Sequence, residues 1–275
     1  MMKKWILLPF ALLVWGPLWL LFAGALTGDA ELQATLGPAL TGQGQARWTL
    51  LPSWPTLQTL LELLLDTPEY FVTYWNTCAQ VLPQVAGQLL VGAPAAWALA
   101  KWKFRGCRFL RGLYIALMLL PFQVTMVPSY LTLNALGLMD TVWAIILPGV
   151  FSTFPVFIMQ RGFEAVPQPL LEAAAIDGAS PWQQFWRIGL PVGMPGVLSA
   201  LTIGFLDAWN ALEQPMIFLK TPSLWPLSLY LTNGVGEDLA LTMAASLVML
   251  IPAVLIFSFG QKYLEQGILA GAVKG

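Results

Sequence analysis

The stretch that decides the fold is "EAAAIDGASPWQQFWRIGLP", Glu172 to Pro191, a polar passage between two long apolar segments. Pro169 suits the first turn of a helix and Gly178 suits the position just past a helix end, which predicts a helix of about nine residues before the glycine. Ser180 and Gln183 then match the N-cap and the third position of a second helix in a capping box. The sequence therefore predicts two short helices that meet at a glycine bend.

The two predicted helices differ in their surfaces. The second carries Trp182, Phe185, Trp186 and Gly189 at helical spacing, so one face is aromatic and we expect it to lie along the membrane or against the ends of spans. The first carries alanines at 173–175, and their small side chains would let a partner's groove approach the helix backbone closely. The alternative is a loop that caps the helices and contacts no partner.

Composition identifies the setting of this passage. Of the 275 residues, 57% are hydrophobic and 10% are charged, more apolar character than a soluble domain can bury. Crossing about 30 Å of hydrocarbon takes roughly 20 apolar residues per helix. Six segments qualify, which predicts an all-α, polytopic membrane protein. They are Trp5 to Leu26, Phe71 to Ala100, Phe109 to Leu131, Thr141 to Met159, Gly193 to Leu219 and Ala240 to Phe259.

The distribution of Lys and Arg predicts the orientation, because these residues favour the cytoplasmic side. With the N-terminus inside, only Arg47 and Lys220 of the 13 cations lie outside. The other eleven are Lys3, Lys4, Lys101, Lys103, Arg105, Arg108, Arg111, Arg161, Arg187, Lys262 and Lys274. We therefore expect a multi-pass protein of the inner, or cytoplasmic, membrane with both termini cytoplasmic. Residues 161–192 then form a cytoplasmic loop.

The first span has a second interpretation, a secretory signal peptide, because Lys3 and Lys4 precede an apolar run that ends in small residues. Its apolar core exceeds the roughly 7 to 15 residues of a signal sequence, which favours an uncleaved anchor. Residues 27–70 follow as an external loop, with one Arg and five acids. Leu57 to Leu65 is predicted to form a short surface helix in that loop.

Several kinds of site are disfavoured by composition. The net charge of -1 gives no general attraction to nucleic acid, and zero histidines removes the commonest metal ligand and proton shuttle. Cys78 lies in an apolar segment and Cys107 in a basic one, so no disulfide framework is indicated. We expect no metal site and no catalytic residue, which argues against a membrane enzyme.

Polar residues inside the spans are the candidates for a translocation path, since each is costly in hydrocarbon unless paired or facing a cavity. In the second span Asn76, Gln80, Gln84 and Gln88 recur every four residues. Two interpretations stay open for this glutamine stripe. The amides line a path for substrate, or they form hydrogen bonds that hold helices together.

The fifth span carries the second polar cluster. Asp207, Asn210, Glu213 and Gln214 are expected to share roughly one side of this helix, with Trp209 adjacent. A carboxylate well inside a span favours function over a purely structural role. Carboxylate and amide acceptors suit sugar hydroxyls, and the Trp face suits an apolar sugar face. A rival hypothesis is an ion-coupled secondary transporter that uses Asp207 or Glu213.

One motif resembles a known family. Glu172-Ala173-Ala174, three residues, Gly178, nine residues and Ile188-Gly189-Leu190-Pro191 match the pattern EAA-x3-G-x9-I-x-LP of permease subunits in binding-protein-dependent ABC importers. "FLDAWNALEQPMIFL" (205–219), the segment 243–267 and the terminal "GAVKG" resemble the carbohydrate branch, close to the maltose-type second permease subunit. The similarity covers roughly Asn76 to Gly275.

The resemblance implies a type I ABC importer permease, a single transmembrane domain over residues 1–275, and a coupling role for the passage that matches the motif. The positions implied to couple are Glu172, Ala173, Ala174, Asp177, Gly178, Ile188, Leu190 and Pro191. The implied partners are a second permease subunit, a dimeric ATP-binding subunit, an external solute-binding protein, a sugar and membrane lipid. The chain lacks G-x-x-x-x-G-K-[ST], so ATP and Mg are expected only at the partner ATPase.

Overall fold

The structure is a computed structural model that describes residues 2–42, 44–47, 49–233 and 238–272, and every regular element in these ranges is helical. Lys274 and the last residues of "GAVKG" lie outside them. The α-helices are α1 (Met2–Ala25), α2 (Asp29–Thr35), α3 (Gly37–Leu40), α4 (Gln58–Leu65), α5 (Pro68–Gly87), α6 (Ala93–Lys101), α7 (Cys107–Met118), α8 (Phe122–Ala135), α9 (Trp143–Val150), α10 (Thr153–Glu164), α11 (Gln168–Ile176), α12 (Pro181–Gln184), α13 (Leu190–Trp209), α14 (Glu213–Phe218), α15 (Leu227–Asn233) and α16 (Leu239–Ala272). Two π-helical turns, Gln88–Gly92 and Phe185–Gly189, and a 3-10 turn, Pro222–Leu224, complete the set.

Long apolar helices confirm a polytopic membrane protein. Within the described ranges, three runs are long and apolar enough to span a membrane, namely Trp143–Glu164, Pro181–Trp209 and Leu239–Glu265. The pair α7 and α8 is a fourth candidate, and the apolar part of α1, Ala11–Ala25, is shorter. The run α5 to α6 covers the predicted second span, but its glutamines lower its hydropathy. The count of six spans therefore stays a prediction.

The predicted third span is broken in the structure. Its two halves, α7 and α8, bend by 106° at their junction. Pro121 lies at this junction with an extended ψ of 153° and is the N-cap of α8. Because proline has no N–H and disfavours helical backbone in the residue before it, the helix ends before Pro121 and restarts after it.

The boundaries predicted for the fifth span, Gly193 to Leu219, are wrong at both ends. The helical run starts at Pro181 and ends at Trp209, and Glu213 and Gln214 stand on the separate helix α14. A helix continued through Pro215 would place the proline ring against the carbonyl of Ala211, so the helix breaks before that residue. The four polar residues of the predicted cluster therefore do not share one side of a single helix.

Residues 77–224 and the described part of 253–275 form one compact unit. Its core holds the rings of Trp97, Phe163 and Phe185, whose centroids are 5.5 to 6.0 Å apart. Helices α10 and α13 make the closest approach, because a Cβ atom built on Gly196 would lie 2.6 Å from Gly162 Cα. The two backbones are thus in direct contact, as small residues permit in membrane helices.

A second compact unit consists of the described parts of residues 1–76 and 225–252. Its core joins Leu63 of α4, Tyr70, and Ala244 and Ala245 of α16. The predicted short helix Leu57 to Leu65 is confirmed and begins one residue later, at Gln58. The Glu31 carboxylate accepts hydrogen bonds from Ser53 N–H and Oγ, each at 2.9 Å, which lower the pKa of Glu31.

Asp140 fastens the loop between α8 and α9 in the larger unit. Its carboxylate accepts hydrogen bonds from Thr221 Oγ1 at 2.6 Å, Thr221 N–H at 2.9 Å and Lys220 N–H at 2.8 Å. These donors, the Thr221 hydroxyl first among them, lower the pKa of Asp140. Asp140 also has a positive φ of 58°, a conformation that aspartate adopts more readily than most residues. Its position in the loop is therefore fixed by backbone and side chain together.

Candidate functional site

The EAA segment, residues 168–191, forms the two helices predicted from its local code. Helix α11 has nine residues and ends at Ile176, and Gly178 follows two residues later with φ of 84°. Gly178 N–H donates to Ala175 O at 3.1 Å and Ala179 N–H donates to Ala174 O at 2.9 Å. These two bonds are those of a Schellman motif, which needs a left-handed residue at the glycine position.

The second helix of the EAA segment begins with the predicted capping box. Gln183 N–H donates to Ser180 Oγ at 3.2 Å, and Ser180 N–H donates to Gln183 Oε1 at 2.9 Å. Only one residue, Ala179, separates Gly178 from the cap. The bend between the two helices is therefore fixed by hydrogen bonds on both of its sides.

The first half of the EAA segment presents an exposed face. Glu172, Ala173, Asp177 and Gly178 are exposed, and Ala174 is half-buried. Ile176 is 87% exposed on the same helix, which is unusual for an isoleucine. The EAA motif does not include Ile176. An isoleucine in an otherwise small and polar run was the sequence feature that could have identified it.

The end of the EAA segment, residues 188–190, packs against the core of the protein. Ile188 and Leu190 pack against the core, and a Cβ atom on Gly189 would lie within 2.5 to 2.8 Å of three ring atoms of Trp97. Only glycine fits at position 189, where the helix packs against the Trp97 indole. Pro191, by contrast, is exposed.

The predicted aromatic stripe divides accordingly. Phe185 is buried against Trp97, whereas Trp182 and Trp186 are 55% and 46% exposed. Phe185 and Trp186 lie in the π-helical turn Phe185–Gly189. Such turns occur often at functional sites.

A polar cavity of about 650 Å³ lies within the larger unit. It is walled by residues of α5, α7 to α10, α13 and α14, together with the first π-helical turn. Its polar lining residues are Gln84, Gln88, Thr125, Ser129, Ser152, Thr153, Asp207 and Gln214. The structure therefore brings two glutamines of the stripe together with Asp207, although they are more than 100 residues apart in the chain.

The glutamines of the stripe have different surroundings. Gln80 donates to Leu224 O at 2.9 Å and does not line the polar cavity. Gln88 lines it and donates to Gly149 O at 3.0 Å, while its buried Oε1 has no hydrogen-bond partner within the described part of the chain. Gln84 lines the cavity against Gly149, with no room for a Cβ atom between them.

Asp207 is exposed to the cavity, and no Lys or Arg of the described ranges lies within ion-pair distance of its carboxylate. Trp209 and Asn210, although close to it in the chain, do not line the cavity. Trp209 is buried and stacks on Phe205 with ring centroids 5.4 Å apart, and the Asn210 amide donates to Leu206 O at 2.8 Å. The predicted path residues therefore separate into Gln84, Gln88 and Asp207 in the cavity and Gln80, Trp209 and Asn210 outside it.

Two other candidates from the sequence lie outside this cavity. The Glu213 carboxylate accepts from the Gln123 amide at 2.9 and 3.1 Å, and this contact joins α14 to α8. Asn76 donates to Trp225 O at 3.2 Å. Among the described residues, no group of three or more His, Cys, Asp or Glu side chains is placed to hold a metal ion.

Comparison with known proteins gives one family. Residues 88–270 match the model of the family described as the binding-protein-dependent transport system inner membrane component. This range includes the whole EAA segment and the cavity residues Gln88 and Asp207.

Curated relatives cover most of the chain. The diacetylchitobiose uptake system permease protein DasC of Streptomyces coelicolor is 32% identical over 75% of this chain and 77% of its own. The arabinooligosaccharides transport system permease protein AraQ of Halalkalibacterium halodurans is 27% identical over 82% and 81%.

A solved structure shares the fold. A chain of a bacterial ABC transporter involved in the import of the acidic polysaccharide alginate matches with a TM-score of 0.79, 24% identity, and 95% coverage of both chains.

Proposed function

Because the chain belongs to the family of binding-protein-dependent ABC transporter inner membrane permeases, we propose that it carries a sugar oligomer through the polar cavity and couples to a separate ATPase through the EAA segment. The chain is a transporter subunit and is not itself catalytic. One observation carries the proposal. The helical run Pro181–Trp209 begins at the capped bend of the EAA segment and ends beside Asp207. A single helical element therefore connects the EAA segment to the polar cavity.

The exposed half of the EAA segment is the proposed docking surface for the ATPase. Glu172 and Asp177 offer charge, Ala173 permits close approach, and Ile176 offers apolar area that docking would bury. Ala174 and Gly178 shape this surface. Ile188 and Leu190 act differently in this proposal, since they hold the moving element to the core around Trp97.

The polar cavity supplies the proposed path. Gln84 and Gln88 line the cavity, and side-chain amides of this kind can exchange hydrogen bonds with sugar hydroxyls. The Asp207 carboxylate is a stronger acceptor because its hydrogen bonds are charge-assisted. No Lys or Arg among the described residues lines this cavity, so uncharged sugars suit it better than acidic ones. Gln80, Trp209 and Asn210 support the surrounding helices in this proposal.

The assembly and the orientation follow from the same proposal. Six spans with both termini cytoplasmic place the EAA segment on the side where ATP is available, as the Lys and Arg distribution favours. A two-fold ATPase offers two docking clefts, and one chain fills one of them, so we propose a second permease subunit. ATP and Mg bind at the ATPase, and an external solute-binding protein delivers the sugar to the loops 29–69 and 221–239.

Copurification tests the assembly. From its native membranes in mild detergent, the tagged chain is expected to bring along an ATPase and a second permease, identified by mass spectrometry. Replacing Glu172 by Ala together with Gly178 by Trp should remove the ATPase alone, since both changes lie on the exposed half of the segment. A wild-type chain that comes out alone and still moves solute in liposomes would refute the importer proposal.

Asp207→Asn tests the path. We expect uptake to fall about fivefold, because a hydrogen bond to a charged group contributes about 1 kcal/mol more than a neutral one. The measurement is uptake of labelled oligosaccharide by vesicles that hold the complete transporter and ATP. Glu213→Gln is the matched control, because it removes a carboxylate outside the cavity and leaves an acceptor for Gln123.

Two results of this test would contradict the proposal. Equal uptake by Asp207→Asn and wild type would remove Asp207 from the path. Uptake that follows an ion gradient without ATP, and that Asp207→Asn abolishes, would favour the ion-coupled carrier instead.

A further inference from the structure

The segment "KWKFRGCRFLR", Lys101 to Arg111, has a charge pattern that sugar transport leaves unexplained. It holds five cations and no acid in eleven residues. Aromatic residues alternate with the cations, and three of them, Trp102, Phe104 and Phe109, are 46%, 40% and 72% exposed. Cations interleaved with exposed aromatic rings are typical of a segment that lies at the interface of a membrane.

A basic cavity of about 860 Å³ lies between this segment and the EAA segment. Lys101, Trp102, Lys103 and Arg111 line it from one side, and Gln168 and Glu172 from the other. Three cations face a single carboxylate, so the basic cavity carries a net positive charge. It is separate from the polar cavity, since the two share no lining residue.

Two cations of this cavity, Lys101 and Arg111, are held by backbone carbonyl groups. Lys101 Nζ donates to Val166 O at 2.6 Å, just after α10, and an Arg111 Nη donates to Leu99 O in the last turn of α6. Arg111 Nε is buried and has no hydrogen-bond partner among the described residues. A buried charged donor without an acceptor is costly, and an anion in the basic cavity would lie against the same guanidinium group.

We infer that the basic cavity binds the phosphate of an anionic phospholipid in the cytoplasmic leaflet. Basic pockets between membrane helices on that side are known to take such headgroups. The exposed aromatic rings favour a lipid over an acidic protein segment, because acyl chains would cover the rings while the phosphate meets Lys103 and Arg111. This assignment rests on the orientation proposed above.

The position of Glu172 gives the site a consequence for transport. A bound phosphate would place negative charge in the same cavity as the first residue of the EAA motif. Like charges repel, so the lipid would favour arrangements in which Glu172 turns away from the cavity and toward the exposed side of α11. The membrane's content of anionic lipid would then affect how readily the segment engages its partner.

A lipid titration tests the site. The full transporter is purified, stripped of lipid, and titrated with phosphatidylglycerol, phosphatidylcholine or glycerol 3-phosphate, and bound molecules are counted by native mass spectrometry. We expect phosphatidylglycerol to bind and the other two to bind at least tenfold more weakly. Lys103→Gln should weaken phosphatidylglycerol about fivefold, the effect of one cation near a lipid surface.

Arg105→Gln is the matched control. It removes one positive charge two residues from Lys103, and the Arg105 side chain does not line the cavity. We expect it to weaken binding less than twofold. Equal losses in both variants would show a diffuse basic surface, and equal binding of phosphatidylcholine would show that charge is not recognised. Either result overturns the site.

Two further outcomes also overturn the lipid assignment. Glycerol 3-phosphate binding as tightly as the lipid would make this a site for free phosphate esters. Lipid bound by the chain alone but absent when the ATPase is attached would show that the partner fills the cavity. Binding is measured whether or not other subunits copurify, so a failure of the proposed function would be seen separately.

Discussion

Valine at position 178 is expected to abolish ATP-coupled uptake while the chain still inserts into the membrane. Gly178 has φ of 84°, and among the described residues other than its chain neighbours no atom lies within 4 Å of the place where a Cβ would stand, so the effect is one of backbone conformation. A left-handed residue other than glycine costs about 1 to 2 kcal/mol, and a β-branched one more, which lowers the population of the bent form roughly 5- to 30-fold or further. The two helices of the EAA segment would then no longer meet at their native angle.

Gly178→Asn is the control, because asparagine tolerates the left-handed conformation. It should keep most of the uptake and of the ATPase activity that the solute-binding protein stimulates. Both activities are measured in liposomes with the complete transporter. If valine at this position supports wild-type coupling, the bend is not needed and the role proposed for Gly178 is wrong.

Gly196→Leu is expected to destabilise the fold strongly. The leucine Cβ alone would lie 2.6 Å from Gly162 Cα and 3.1 Å from Gly162 N, both backbone atoms that cannot move aside as a flexible side chain can. Helices α10 and α13 would have to separate along a contact on which the core around Phe163 depends. Overpacking of this kind costs about 3 kcal/mol or more, equivalent to a fall in Tm of roughly 6 to 12 °C.

The measurement is the yield and thermal unfolding of the purified chain in detergent. Gly112→Leu is the matched control, since nothing lies within 4 Å of a Cβ at that position on α7. The control should be recovered at wild-type yield. A Gly196→Leu chain with unchanged Tm would mean that the two helices are not in backbone contact.

The part of the site that could be predicted from the sequence is the part held by local interactions. Gly178, Ser180 and Gln183 form bonds to atoms at most five residues away, so their residue types alone predict the turn and the capping box. The same holds for the short helix α4. Each of these features was predicted within about one residue.

The remainder depends on residues far away in the chain. Gln80 and Gln88 have the same side chain and lie on one predicted stripe, yet one bonds Leu224 O and the other faces the polar cavity. Trp209 lies between Asp207 and Asn210 in the chain and was expected beside the path, but it is buried and stacks on Phe205. No local pattern distinguishes these cases, because tertiary neighbours decide them.

The fifth span was misplaced for a related reason. Hydropathy gives similar weight to residues before and after Trp209, whereas the steric demand of Pro215 ends the helix earlier. Its start was missed because the helix that begins at the capping box was predicted as a separate short helix, although it begins the same helical run that later crosses the apolar region.

The glycine contact between α10 and α13 also sets the mechanics of this run. At 1.5 Å per residue, Gly196 lies about 22 Å from Pro181 and about 16 Å from Asp207. At Gly196 the backbone of the helical run Pro181–Trp209 is in direct contact with α10. This contact is therefore a natural pivot, and the two parts of the run on either side of it have similar lengths. A rotation of about 10° around it would move the EAA end by about 4 Å and the Asp207 end by about 3 Å in the opposite direction. The cavity and the docking surface would thus be displaced by comparable amounts in a single rigid-body movement.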